Sequence, residues 1–147
     1  MEDKVCVKID DKRTEYIKIN QGVRQGCPLS PTLFNIFMSD FSTHLNDCED
    51  KICIDERSYI NCLLWADDIL LMSSSEEGLS ELLRKLSEYC DINKLNINEK
   101  RTKCMIFNKT GRLLRVPFTY KMSCLELVRS YKYLGFTIVP REKYIPD

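Results

Sequence analysis

Two adjacent carboxylates, Asp67 and Asp68, interrupt the apolar run Leu63-Leu64-Trp65-Ala66-Asp67-Asp68-Ile69-Leu70-Leu71-Met72. The flanks have the length and composition of two buried strands, which makes the carboxylates the turn between them. Two-residue hairpin turns favour Asn-Gly or Asp-Gly, because their central residues often need positive φ. Asp-Asp suits that geometry poorly, and its like charges repel. A divalent cation would relieve the repulsion, and oxygen donors are what hard cations take. A solvated acidic hairpin that binds nothing is the other reading these residues allow.

A second candidate lies upstream, in Gly22-Val23-Arg24-Gln25-Gly26-Cys27-Pro28-Leu29-Ser30-Pro31. Its glycines permit unusual dihedrals and close approach of a ligand. Arg24 offers a planar cationic fork suited to phosphate or carboxylate, and Gln25 an amide donor and acceptor. Ser30 suits a helix cap and Pro31 the first helical turn. The helix should then carry Phe34, Phe37, Met38, Phe41 and Leu45 on one face and end near Cys48. That stripe reads as core. The loop reads either as an ordinary helix entry or as a segment facing a ligand.

The elements that must position these residues follow from the pattern around them. Val5 to Ile9 and Glu15 to Ile19 predict a hairpin, with Asp10-Asp11 as a solvated turn. Short strands run through Ile52-Cys53-Ile54 and from Tyr59 to Trp65, then out from Ile69. Ser73-Ser74-Ser75-Glu76-Glu77 starts a helix, with Ser and Glu at capping-box spacing. Its buried face is Leu79, Leu82, Leu83, Leu86, Tyr89 and Cys90. After Asn93 strands dominate, with a turn at Asn108-Lys109-Thr110-Gly111. This alternation predicts one α+β domain over residues 1–147, an antiparallel sheet with helices packed on one face.

Charge and cysteine content narrow the classes. The chain has 147 residues and a formal net charge of zero, a balance that by itself says little about partners. Local charge is more informative. Lys94, Lys100, Arg101, Lys103, Lys109, Arg112 and Arg115 face only Glu99 in their stretch, a pattern that can follow a phosphate backbone or simply be a solvated face. Asp40 to Glu56 is acidic-rich. None of the eight cysteines forms a C-x-x-C pair and His44 is the single histidine, which argues against a zinc site. No signal peptide or spanning helix is evident, and a reduced intracellular compartment, cytoplasmic or nuclear, is expected.

The segment Gly22 to Phe41 resembles the motif B region of reverse transcriptases from non-LTR retrotransposons, the jockey-like and related LINE group. Trp65-Ala66-Asp67-Asp68 resembles their motif C, usually YADD or FADD. Ile97-Asn98-Glu99-Lys100-Arg101-Thr102-Lys103 is similar to motif D, and Tyr131-Lys132-Tyr133-Leu134-Gly135 to motif E. The four stand in family order and cover roughly Val5 to Val139. The resemblance implies part of a right-hand polymerase palm, with a little fingers sequence and the edge of the thumb. It implies two-metal nucleotidyl transfer with Mg²⁺, on an RNA template, a DNA primer and a dNTP. Asp67 would be the metal ligand and Asp68 would assist. Arg24, Gln25, Gly26 and Trp65 would line the nucleotide and template pocket. Tyr133, Leu134 and Gly135 would support the primer grip.

Three departures bear on activity. Trp65 replaces the usual Tyr or Phe with a larger ring. Arg101 stands where the family commonly has a lysine, and arginine is a poor proton donor; Lys100 or Lys103 would have to substitute. Motif A, which brings the family's first catalytic aspartate, belongs upstream of motif B, where only 21 residues precede Gly22. The isolated chain is therefore expected to be inactive, and to self-associate through the sheet edge that a motif A strand would cover. Two expectations stand side by side. One is a reverse transcriptase domain that works once motif A is supplied. The other is a catalytically dead relic serving as a nucleic-acid-binding or protein-interaction module.

Overall fold

The structure is a computed structural model that describes residues 4–19, 22–108 and 116–140. The chain divides into two compact units, Met1–Ser39 and Asp40–Asp147. In the first, β1 (Lys4–Val5), β2 (Lys8–Ile9), β3 (Lys12–Arg13) and β4 (Ile17–Lys18) form nested antiparallel pairs, β1 with β4 outside and β2 with β3 inside. Asp10-Asp11 is the exposed turn of the inner pair, with Asp10 at φ 52°.

Helix α1 (Ser30–Phe37) follows, with Pro31 in its first turn. The single long helix expected to reach Cys48 is instead broken: α1 ends at Phe37, and α2 (Phe41–His44) starts the second unit. Ser39 explains the break. Its Oγ donates to the Ile36 carbonyl at 2.8 Å and its N–H to the same oxygen at 3.2 Å, a tightened turn that competes with helix propagation. The apolar stripe divides accordingly. Met38, Phe41 and Leu45 are buried, whereas Phe37 is 44% exposed.

The second unit continues through β5 (Ile52–Asp55), β6 (Ser58–Ile60), β7 (Cys62–Trp65), β8 (Asp68–Leu71) and α3 (Glu76–Asn93). Then come β9 (Lys103–Cys104), β10 (Thr119–Tyr120), β11 (Ser123–Cys124), β12 (Glu126–Leu127), β13 (Tyr131–Tyr133) and β14 (Phe136–Ile138). The described strands pair two at a time, β9 with β12 in parallel and the other pairs antiparallel. The strand expected from Tyr59 to Trp65 is interrupted at Asn61. The turn expected at Asn108 to Gly111 runs into residues 109–115, outside the described ones.

Helix α3 organises the core. It buries Leu82, Leu83, Leu86, Tyr89 and Cys90, as its 3.6-residue pattern predicts, with Gly78 in addition and Leu79 only half-buried. Phe41 packs edge-on against Tyr89, ring centroids 4.9 Å apart. The Tyr89 hydroxyl donates to Asp40 Oδ1 at 2.5 Å; burial, then that carboxylate, hold the phenol above its ordinary value. Tyr120 of β10 joins the core beside Cys90, and its phenol is raised by burial first and by its bond with that thiol next. The helix ends on Lys94 in the left-handed region, with the Leu95 N–H bonding the Cys90 carbonyl at 2.8 Å, a Schellman-type stop. Among the described residues no helix is long and apolar enough to cross a membrane.

Candidate functional site

The paired carboxylates sit at the tip of the β7–β8 hairpin. Its register pairs Cys62 with Leu71, Leu63 with Leu70, Leu64 with Ile69 and Trp65 with Asp68. The two central turn residues are therefore Ala66 and Asp67, one position earlier than the Asp67-Asp68 turn the sequence predicts, and Asp68 is the first residue of β8. The reason is backbone geometry. Ala66 takes φ 51° and Asp67 stays at negative φ, the φ pattern of a type II′ turn. Positive φ at a non-glycine residue costs about 1–2 kcal/mol, so the tip holds strain at its first position. Cross-strand pairing places Trp65 and Asp68 on one face, and Asp67 projects from the turn itself. Trp65 is 65% exposed.

The base of the hairpin is fixed on both strands. The Met72 N–H bonds the Asn61 carbonyl at 2.7 Å, and the buried Asn61 side chain donates from Nδ2 to the Leu45 carbonyl at 3.2 Å. Just past β8, in the connection to α3, Asp50 accepts from Ser73 Oγ at 2.7 Å, from the Ser74 N–H at 3.1 Å and hydroxyl at 2.5 Å, and from the Ser75 N–H at 2.9 Å and hydroxyl. Those serine donors, Ser74 first, hold the Asp50 carboxyl well below the usual carboxylate range. The same contact caps α3. Ser75 is its N-cap and accepts from the Gly78 N–H at 3.0 Å. No Glu closes a capping box; Asp50 takes the N-cap N–H in its place, from 25 residues upstream.

Motif E forms a second hairpin. β13 and β14 form a hairpin whose central residues, Leu134 (φ 48°) and Gly135 (φ 88°), both have the positive φ of a type I′ turn. The Tyr133 phenol is held above its ordinary value by burial first and then by the charge of Asp68. The motif D residues divide. Asn98 folds its segment into a tight turn, accepting from the Arg101 and Thr102 N–H groups at 3.0 Å each. This leaves Lys100 and Arg101 exposed. Lys103 is instead drawn to β12, its Nζ 2.5 Å from Glu126. Of the other predicted bases, Lys109, Arg112 and Arg115 lie outside the described residues.

The Arg24, Gln25 and Gly26 segment lies in the first unit. The Cys27 N–H bonds the Arg24 carbonyl at 3.3 Å, and Gly26 takes φ 80°. This is a type II turn with glycine at the position that requires it. Among the described residues, no atom beyond its chain neighbours lies within 4 Å of where a Gly26 Cβ would sit, so the positive φ is what calls for glycine there. Ser30 is not the expected cap, since Leu29 holds the N-cap position. Its buried hydroxyl instead donates to the Arg24 carbonyl at 2.5 Å and closes the loop.

Asp67 and Asp68 are the right donors for a hard divalent ion, which takes six or more oxygens. They are too few alone: among the described residues no group of three or more His, Cys, Asp or Glu side chains is placed to hold a metal. Sequence reasoning missed Asn61, Asp50 and the loop-closing role of Ser30, because none carries a local signal of its partner.

Residues 3–138 match the family described as reverse transcriptase (RNA-dependent DNA polymerase). The chain is 30% identical over 138 residues to the Retrovirus-related Pol polyprotein from type-1 retrotransposable element R2 of Popillia japonica, covering 89% of this chain and 23% of that protein. It is 29% identical over 139 residues to the RNA-directed DNA polymerase from mobile element jockey of Drosophila melanogaster, covering 90% and 14%. A further match, to the R2 polyprotein of Nasonia vitripennis, is 26% identical over 141 residues, covering 90% and 14%. The chain thus spans less than a quarter of the length of these relatives. With nearly its whole length inside the family match and in the order of motifs B to E, the chain belongs to the reverse transcriptase (RNA-dependent DNA polymerase) family and forms a segment of the non-LTR retrotransposon type.

Proposed function

We propose that this chain is the motif B-to-E part of a polymerase that copies an RNA template from a DNA primer, with Asp67 and Asp68 inside its nucleotidyl-transfer site. Reverse transcriptases in general use divalent metals and bind a nucleic-acid template and primer. Our finer reading is Mg²⁺, two ions, and a dNTP as substrate. The two carboxylates are then part of a ligand set completed by oxygens outside the described residues. Roles in template and nucleotide binding for Arg24, Gln25, Gly26 and Trp65, and in primer support for Tyr133, Leu134 and Gly135, are those the family resemblance implies. The palm arrangement, with little fingers and the thumb edge, belongs to this reading. The observation that carries it is the family match over residues 3–138, with Asp67 and Asp68 together at the tip of the β7–β8 hairpin.

One observation favours a second reading, a catalytically dead module that binds nucleic acid or protein: the described residues supply two carboxylates and no third ligand. Primer extension separates the two. The chain alone, with Mg²⁺ or Mn²⁺, should extend no primer. A longer polypeptide that adds an aspartate-bearing upstream segment should extend it, and Asp67→Asn should abolish that. Extension by neither leaves the module reading. Both readings expect weak, salt-dependent binding to an RNA–DNA hybrid. Neutralising Lys100, Arg101 and Lys103 should reduce the slope of log affinity against log salt by about 2, since Lys103 is already paired and each lost phosphate contact removes about 0.9. An unchanged slope would assign that stretch to an ordinary solvated face.

A further inference from the structure

We propose that Asn61 is a positioning residue for the Asp67–Asp68 carboxylates, the buried half of a two-point clamp that aims their hairpin; the proposal rests on the functional reading above. Asn61 is 7% exposed and stands where β6 ends and β7 begins. It bonds in two directions. Its carbonyl accepts from the Met72 N–H and ties the two strands together at their base. Its side-chain amide donates to the Leu45 carbonyl, the residue that ends α2. That carbonyl also accepts from the Cys48 N–H at 3.1 Å, so the amide takes its second lone pair and ties the base of the hairpin to the end of α2.

The other point of the clamp lies just past β8, in the connection to α3, where Asp50 gathers Ser73, Ser74 and Ser75. Between the clamp and the tip the hairpin pairs with no further strand among the described residues. Leu64, Ile69 and Leu70 are half-buried along it, so packing steadies one face, while the hydrogen bonds that anchor the hairpin to the rest of its unit lie at the base. Five residues separate Asn61 from Ala66, about 17 Å of strand at ~3.3 Å per residue. A tilt of roughly 5° at the base moves the tip by about 1.5 Å, more than the ~0.5 Å tolerance of a reactive constellation. Misplacement on that scale can cost about a hundredfold in rate.

The test uses the 147-residue chain. Trp65 is its single tryptophan and lies at the tip, so its fluorescence reports the tip alone. Asn61→Leu keeps the branched skeleton and its number of heavy atoms, with more bulk, and removes the donor. It should speed amide exchange at residues 65–68 by about tenfold, and enlarge the fast component of Trp65 anisotropy decay. Asn61→Gln, which keeps an amide donor, should restore both. Leu83→Val, matched for lost stability in α3, should leave both near wild type. Asn61→Ser is measured in parallel and carries the same expectation as Asn61→Leu, so that a misfolded variant does not end the test. Wild-type exchange and anisotropy in Asn61→Leu and Asn61→Ser would overturn the clamp, as would an equal effect of Leu83→Val. If the clamp holds while the longer polypeptide extends no primer, the functional reading falls and the clamp stands.

Discussion

At the scale of single residues, the tip of the β7–β8 hairpin shows how much a sequence can say and where it stops. The hairpin, its two flanking strands and its acidic tip were all legible in an apolar run split by charge. The register was not. The turn centres on Ala66 and Asp67 because Ala66 accepts φ 51°, and alanine carries no compositional mark of that conformation. Gly135 is the contrasting case: glycine at the second position of a type I′ turn is readable from residue type. The strain at Ala66 yields a prediction. Left-handed backbone costs alanine about 1–2 kcal/mol, while glycine's greater unfolded freedom returns about 0.5–1 kcal/mol of that. Ala66→Gly should therefore stabilise the chain by up to about 1 kcal/mol, measured by urea unfolding. A loss of stability would show that the Ala66 methyl makes contacts that outweigh its backbone strain.

At the scale of elements, periodicity carried α3 and failed at α1 and α2. The apolar spacing from Phe34 to Leu45 continues through the break, and only Ser39-Asp40 marks it, by hydrogen bonding rather than by hydropathy. The start of α3 was placed correctly for a partly wrong reason. Ser and Glu at capping-box spacing pointed to a local cap, whereas Asp50 supplies half of it from 25 residues away. Contacts of that separation leave no trace in a local window, which is also why Asn61 escaped notice, 16 residues from its partner.

The Asp50 junction makes two expectations. Glycine to alanine inside a helix ordinarily gains about 1 kcal/mol. At Gly78 a Cβ would lie 2.2 Å from Asp50 Oδ2 and 2.6 Å from Ser73 Oγ. Gly78→Ala should instead cost about 1–3 kcal/mol, as overpacking does; a gain would mean the serine cage is loose. The second is pH dependence. The folded-state carboxyl of Asp50 lies below its unfolded value, so its contribution is complete above that unfolded value, about 3.9. It is lost as pH falls from there through the folded value. Between about pH 5 and pH 2.5 the urea midpoint should fall more steeply for wild type than for Asp50→Asn. Parallel slopes would remove Asp50 from the acid response.

At the scale of the whole chain, family membership was legible because four short motifs kept their order. The way the described strands associate was not. Pairing two at a time leaves the β7–β8 hairpin without a third strand among the described residues, and Leu63 (43%) and Trp65 (65%) remain exposed on it. Phe136, on the motif E hairpin, is 78% exposed. Unpaired strands bearing apolar side chains recruit further strands. We therefore expect concentration-dependent self-association at micromolar concentrations, read by sedimentation velocity. Leu63→Lys places a charge on the exposed face, the device that natural edge strands use against pairing. It should shift the distribution toward monomer without lowering the unfolding midpoint, because Leu63 contributes little to the core around α3. A wild-type chain that stays monomeric across that range, with a single sharp unfolding transition, would mean that the hairpin's edges are protected by contacts outside the described residues.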